Sequence, residues 1–223
     1  MTKTKIFQLA LIPIILLLGW LLFDGIKSEI DKAENIAKSE ALVIARLKMI
    51  RDAQKAYFEV HTKYASSWDS LFHFINHGKM YNISRKERIV MSSMDRNPKD
   101  PKYGLEDSVV VTYDTLGIID AKTAIFPPDK YPDLKVEELK YVPDYKGLTT
   151  KLYEERLKAE GKTRPEFELY AAQKTVNGVP VSYVEVKDPY PLDKTRKDDN
   201  QIARRRLLRF GSREEVTISG NWE

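Results

Sequence analysis

The clearest hydropathy pattern in the chain is an apolar run from Ile6 to Phe23 that contains no charged residue. At about 1.5 Å per residue, about 18 residues reach roughly 27 Å, which is enough to cross the hydrocarbon layer of a bilayer. A cleavable signal peptide also has a basic start and an apolar core, but it ends in small residues. In this chain the residues at the end of the apolar run, 22–26, have mostly bulky side chains. We therefore expect an uncleaved transmembrane signal anchor.

Charges on the two sides of this run predict its orientation. Lys3 and Lys5 precede it, whereas acidic and basic residues are mixed after it. Because basic flanks stay in the cytoplasm, we expect a single-pass protein of the bacterial inner membrane with a cytoplasmic N-terminus and a periplasmic C-terminal part. The predicted regions are a cytoplasmic tail (1–5), the signal anchor (6–25), an amphipathic stalk helix (26–61) and an exported α+β domain (62–223).

Beyond the run, apolar residues recur every three or four positions, which is the period of a helix. The stripe contains Ile26, Ile30, Ala33, Ala37, Ala41, Ile44, Leu47, Ile50, Ala53 and Tyr57. The side chains at Ala33 and Ala37 in its first half are small, whereas those in its second half, such as Leu47 and Ile50, are larger. We therefore expect an exposed, partner-facing stalk followed by a stretch packed on the globular domain, with Ala33, Ala37, Ala41 and Ile44 as partner-binding residues. A coiled coil is less favoured, since the heptads are rich in alanine.

A second, shorter helix is predicted after the stalk. Ser66 or Ser67 is a suitable N-cap, and Gly78 is a suitable stop after His77.

The sequence around the end of the stalk resembles type IV pilins and type II secretion pseudopilins. The resemblance covers about residues 6–75 and is most specific in Arg51–Tyr57, His61–Tyr64 and the Ser-Ser-x-Asp-x-Leu start at Ser66. It implies that apolar helix halves bundle together and that a small antiparallel sheet packs on the outer half of the helix. It also implies a structural or assembly subunit of secretion, pilus-like or motility machinery. The prepilin peptidase signal is not part of the resemblance, because no glycine precedes the apolar run and no glutamate lies within it.

The C-terminal part has strand-like patterns. Residues 108–120 are rich in β-branched residues, and two alternating segments, 167–176 and 179–186, flank Asn177-Gly178, the preferred type I′ hairpin turn. Further strands are predicted near residues 207–210 and 215–219. We expect an α+β fold in which an antiparallel sheet of four or more strands packs on the long helix.

Basic residues are concentrated near the C-terminus. The chain has a net charge of +4, and residues 194–213 alone contain eight basic and two acidic residues, a local charge of +6. Arg204, Arg205, Arg206 and Arg209 predict either a patch for an anionic ligand, polymer or lipid, or a solvated strand edge that discourages pairing. The first interpretation gives the alternative function, a membrane-tethered binding module. Nucleic acid is not an expected partner, because the domain would lie outside the cytoplasm.

Residues with catalytic or metal-binding chemistry are sparse. The chain has no cysteine, and no nucleophile, phosphate-binding or dinucleotide motif is present. His73 and His77 are four residues apart, a spacing that suits a metal, but a third ligand is missing. We therefore expect no enzyme, no catalytic or metal site and no cofactor. The expected partners are the lipid bilayer and proteins of an envelope complex, including further copies of this chain that associate through the N-terminal helix.

Overall fold

In the part of the chain that the structure describes, the fold is α+β, with one long N-terminal helix and two small antiparallel sheets. It was obtained as a computed structural model that describes residues 3–90 and 108–223. The chain divides into two compact units. The first combines the N-terminal residues up to Arg51 with Leu139–Glu223, and the second is formed by Asp52–Glu138.

Helix α1 extends from Lys3 to His61 and ends where the stalk is predicted to end. Thr62 follows with a positive φ of 57°, which turns the chain away from the helix axis. The side chains at positions 6–10, 12 and 14 of the apolar run lie outside the described part. Within residues 3–90 and 108–223, none of the helices combines the length and the apolar character that a bilayer crossing requires.

The second unit contains helices α2 and α3 and a two-stranded sheet. Their bounds are α2 Trp68–His77, β1 Lys79–Val90, β2 Ser108–Asp120 and α3 Ala121–Ile125. Ser67 caps α2 by accepting a hydrogen bond at Oγ from the Ser70 amide (3.2 Å), and Gly78 occupies the C-cap, which confirms the predicted helix limits. Strand β1 is not predicted by the sequence; it pairs antiparallel with β2 along its whole length.

A buried glutamine closes the turn between α1 and α2. Gln54 is completely buried, and its Nε2 donates to the Ala65 carbonyl (3.1 Å) while its Oε1 accepts from the Ala65 amide (2.9 Å). Both backbone groups of Ala65 therefore have partners inside the unit, as buried polar groups require. Nearby, the ring of Tyr57 packs edge-on against that of Phe74 at 5.2 Å between centroids.

The first unit contains two short helices and a three-stranded sheet of order β3-β4-β5. Their bounds are α4 Leu148–Leu152, α5 Glu154–Ala159, β3 Glu168–Val176, β4 Val179–Lys187 and β5 Arg209–Ser212. Short 3-10 helices occupy Val136–Lys140, Tyr145–Gly147 and Ala203–Arg205. The apolar core of this unit contains Val43, Leu47, Ile50, Leu139, Val142, Leu157, Phe167, Val184, Val186, Leu208 and Phe210.

The β3–β4 hairpin confirms the strongest local prediction. Val176 pairs with Val179, and the turn residues have positive φ angles of 52° at Asn177 and 81° at Gly178. Strand β5 depends on another glycine. Gly211 has a φ of 76°, and a Cβ there would lie 2.0 Å from the Val184 carbonyl oxygen, so only glycine permits this approach to β4.

Two strand predictions are wrong. The strands of the described residues form separate sheets of two and three, rather than one sheet of four or more. Residues 215–219 are not a strand, because Ser212 Oγ accepts from the amides of Glu214 and Glu215 (3.1 Å each) and turns the chain at that point. A single bridge between Phe210 and Gly220 is all that continues the sheet there.

Candidate functional site

The predicted partner-binding stripe on α1 lies outside the core in its first half. Ala33, Ala37 and Ala41 are exposed, and Ile44 is half-buried. The buried positions that follow are Ser39, Val43, Leu47 and Ile50, of which Leu47 and Ile50 belong to the second half of the predicted stripe. The exposed stripe is therefore accessible to another molecule, and its role in partner binding stays a prediction.

Larger apolar side chains are exposed closer to the N-terminus of α1. Each of the following is more than half exposed: Ile15, Leu16, Leu17, Leu18, Trp20, Leu21, Leu22, Phe23, Ile26 and Ile30. They surround the helix on all sides from Ile15 to Phe23. A helix that is apolar all round is normally covered by protein or lipid.

An open groove of about 780 Å³ lies beside α1 within the first unit. Its apolar lining consists of four half-buried side chains, Ile36, Leu148, Leu152 and Leu192. Charged residues also line it: Lys32, Lys151, Asp193 and Lys194. The groove is thus apolar at its floor and predominantly basic at its rim.

Arg196 connects α1 to the C-terminal segment. Its Nε and Nη2 donate to the two carboxylate oxygens of Glu40 (2.5 and 2.8 Å), and its Nη1 donates to the carbonyl oxygens of Arg204 (2.7 Å) and Arg206 (3.0 Å). The Glu40 carboxylate raises the pKa of the Arg196 guanidinium. A bidentate pair of this kind fixes orientation as well as charge. The stretch of α1 around Glu40 is therefore held to a loop 156 residues away.

Asp188 is a buried acid beside this pair. Burial raises its pKa to about 7, although the hydrogen bond from the Tyr190 amide (2.8 Å) and the charge of Arg196 both oppose the rise. The Glu40 carboxylate adds to it. Near neutral pH, the protonation of Asp188 is therefore coupled to the contact between Glu40 and Arg196.

A network of alternating charges joins the three strands of the larger sheet. Glu185 is almost completely buried on β4 and accepts from Arg209 (3.3 Å) and Arg213 (2.7 Å). The remaining ion pairs are Arg213–Glu168 (2.6 Å), Arg209–Asp198 (3.0 Å), Lys187–Glu168 (3.2 Å) and Lys187–Asp198 (3.2 Å). Much of the positive charge in residues 194–213 is therefore matched by carboxylates within the same unit.

The four predicted patch arginines have different environments. Arg209 belongs to the charge network, and Arg206 Nε donates to the Asn200 carbonyl (2.6 Å). Arg204 and Arg205 are exposed, and Arg204 Nη2 makes a long contact with the Glu223 carbonyl (3.4 Å). The structure therefore leaves Arg204 and Arg205 most accessible and uses the other two inside the fold.

All three histidines line one surface cleft of the second unit. The Nδ1 atoms of His61 and His77 lie 3.1 Å and 3.3 Å from the carbonyl oxygens of Tyr57 and His73, so each ring donates from Nδ1 to its own helix. In residues 3–90 and 108–223, no group of three or more histidine, aspartate or glutamate side chains could hold a metal ion.

The residues that the sequence did not single out are polar residues that the fold buries fully or in part. Glu40, Gln54, Glu185 and Asp188 lie in ordinary-looking positions of helical or alternating patterns, and their partners are distant in sequence or in a following turn. The sequence does contain one indication: Glu185 is a charged residue directly between Val184 and Val186, and a charge in such an apolar setting needs a partner.

Comparison with known proteins gives no relative. No protein-family model, no curated protein and no solved structure matches the chain.

Proposed function

We propose that the chain is a single-pass, membrane-anchored envelope protein that serves as a structural or assembly subunit of a larger complex in the bacterial inner membrane. Its N-terminus would lie in the cytoplasm, and its pilin-like domain, with the amphipathic helix packed on the sheet, would lie in the periplasm. Secretion, pilus-like and motility machineries are the classes of complex that this arrangement suits.

The observation that carries the proposal is the uninterrupted exposure of large apolar side chains on α1. Eight of them between Ile15 and Phe23 are more than half exposed. Covering eight such side chains is worth on the order of 10 kcal/mol. A lipid bilayer, reached by the apolar run that begins at Ile6, supplies that cover.

The subunit role is supported by the first half of the stalk. Ile26, Ile30, Ala33 and Ala37 are exposed on one stripe of α1, at the point where the helix would leave the membrane. An apolar stripe that continues into an aqueous compartment needs a protein partner, because water does not cover it favourably.

Anchoring is tested by carbonate extraction of membranes from cells that express the full chain. We expect the wild type to stay in the membrane pellet, and Leu17→Arg/Leu18→Arg to be released, since each arginine at a helix centre costs about 2.5–3.5 kcal/mol on insertion. Leu42→Arg is the matched control on the stalk and should stay in the pellet. Release of the wild-type chain by carbonate would refute the anchor.

The subunit role is tested by affinity purification in a gentle detergent, followed by mass spectrometry. We expect wild-type protein to recover stable partners, and Ala37→Glu/Ala41→Glu to lose them. Ala159→Glu, at an exposed alanine of α5, is the control for added negative charge. A monomeric wild-type chain without partners would contradict the proposal.

A second candidate is a tethered binding module for an anionic ligand, polymer or lipid. The observation that favours it is the exposure of Arg204 and Arg205 on one short turn, with Lys194 and Lys197 also exposed nearby in sequence. Engagement of Arg206 and Arg209 within the fold leaves this candidate with less free charge than the sequence predicts.

A further inference from the structure

We infer that the groove beside α1 is the docking site for α1 of a second copy, whose Ala33 and Ala37 seat against Leu148 and Leu152. This inference rests on the proposed membrane anchoring and assembly role and names the partner surface. It joins two features that are otherwise unexplained: an open apolar groove and an exposed apolar stripe on the same chain.

The groove suits a helix that carries small residues. Its apolar lining is formed by Ile36, Leu148, Leu152 and Leu192, all half-buried, so their outer surfaces are available for contact. Packed helices approach to about 8–10 Å between axes. Alanine on the incoming helix permits this distance against leucine side chains without overlap.

The groove and the stripe lie on different sides of α1. Asn35 lines the groove and Ala37 belongs to the stripe. Two residues correspond to about 200° of rotation, so these positions are separated by roughly 160° around the helix axis. A contact between the groove of one copy and the stripe of the next therefore uses two different surfaces, and it generates a ring or an open filament rather than a closed dimer.

Membrane anchoring places the two surfaces at the same height. Copies inserted in one bilayer with one orientation have parallel α1 helices, so residues of equal number lie at similar distances from the membrane. The groove includes Lys32 and Ile36 on α1, and the stripe includes Ala33 and Ala37. One residue of offset is about 1.5 Å along the axis. No shift of one copy is needed to bring the surfaces together.

Charge is complementary at this contact. The groove is lined by three lysines, Lys32, Lys151 and Lys194, and one acid, Asp193. On the incoming helix, Glu34 borders the stripe and is exposed. Its present partner is Lys38 on the same helix, and exposed pairs of this type contribute little, so exchange for a lysine of the groove costs little.

A second copy would cover more of the exposed apolar surface than a lipid would. An acyl chain with an anionic headgroup would fill the groove and contact the lysines, but it would leave Ile30, Ala33 and Ala37 uncovered. Docking of α1 covers the groove of one copy and the stripe of the next in the same contact.

The test is disulfide cross-linking in membranes, which the absence of native cysteine makes direct. Two differently tagged full-length copies are co-expressed, one with Ala37→Cys and the other with Leu152→Cys, and are oxidised mildly. We expect a reducible heterodimer on a gel, because a disulfide forms only where Cβ atoms approach to about 3.5–4.5 Å. Lys151→Cys, at an exposed position, replaces Leu152→Cys if the latter lowers expression.

The control pairs Ala37→Cys with Ala159→Cys on α5. Equal yields from the test and control pairs would show random collision and overturn the inference. So would an Ala37→Cys homodimer that forms in preference to the heterodimer, because that product requires a symmetric contact. Protection of Leu152→Cys from a maleimide in membranes, without any cross-link, would identify lipid as the occupant instead.

The outcomes separate this inference from the proposed function. Failure to cross-link while affinity purification still recovers partners would overturn the groove contact alone. Release of the wild-type chain from membranes by carbonate would overturn both.

Discussion

Two stretches of helix α1 carry the same kinds of side chain and differ completely in burial. Ile26 and Ile30 are 56% and 60% exposed, whereas Leu47 and Ile50 are 0% exposed. Helical periodicity places all four residues on the apolar stripe that the sequence predicts, but it does not say what covers each part. The later stretch is covered by the chain itself. The earlier stretch is left for lipid or for another protein.

The boundary between the two stretches lies near Glu40. Before it, the alanines of the stripe are exposed; from Ser39 onward, buried positions recur along one face. Arg196 fixes the helix at this boundary, and buried Asp188 lies next to the pair. Substitutions before and after the boundary should therefore change the free energy of unfolding by different amounts.

The largest expected effect comes from removing a core side chain in the buried stretch. Leu47→Ala should lower the free energy of unfolding by about 3 kcal/mol, because it deletes buried methyl groups and leaves a cavity. Denaturant unfolding of the detergent-solubilised chain, followed by circular dichroism, measures the change. Ile30→Ala is the control and should change it by less than about 0.5 kcal/mol. Similar losses for both variants would remove the distinction between the two stretches.

A somewhat smaller loss is expected when the boundary contact is broken. Arg196→Met should cost about 2–3 kcal/mol of unfolding free energy, because Glu40 loses its partner and two backbone carbonyls lose their donor. The same unfolding measurement applies, with Arg205→Met as the control at an exposed arginine. Adding Glu40→Met to Arg196→Met should restore part of the loss, since no unpaired carboxylate remains. An unchanged midpoint for Arg196→Met would show that the pair does not hold the helix.

Asp188 should make the stability of the folded chain depend on pH. In the unfolded chain this acid loses its proton near pH 3.8, and in the folded chain near pH 7. The folded state binds the extra proton between these values, so stability should fall as pH rises from about 4 to about 7, by at most about 1.4 kcal/mol per pH unit, and level off above. Unfolding curves at several pH values measure the slope. Asp188→Asn should flatten it, and a wild-type slope of the opposite sign would contradict the assignment.

The smallest effect on stability is expected at the exposed arginines. Arg204→Gln/Arg205→Gln should change the unfolding free energy by less than about 0.5 kcal/mol, because neither guanidinium is buried. Binding of the same variant to vesicles with anionic lipid decides the second candidate function. A salt-dependent loss of binding relative to wild type supports a binding module, whereas equal binding at every salt concentration counts against it.

Part of the fold could be predicted because its causes are local. Ser67 and Gly78 limit α2 through contacts within a few residues, and Asn177-Gly178 sets the hairpin through its own φ angles. The candidate site was predicted less well. The sequence identified the exposed alanines and the basic stretch, but not the groove, whose lining comes from α1, α4 and the segment that contains Leu192.

The strand errors have a related cause. Strand β1 has no regular alternation of apolar and polar residues, and its pairing with β2 is visible only once both are placed side by side. Residues 215–219 have β-forming side chains, but the hydroxyl of Ser212 turns the backbone before a ladder can form. Competition of this kind between a side chain and the sheet for backbone amides is not evident from propensity.

The sequence by itself determined the helix that ends at His61, the capped helix after it and the type I′ hairpin. Each depends on hydrogen bonds and backbone angles within a few residues. Only the tertiary structure decided which face of α1 is buried, which arginines remain free and how the strands divide into two sheets. Those outcomes depend on pairs such as Glu40 and Arg196, 156 residues apart, whose contact forms only when the chain has folded.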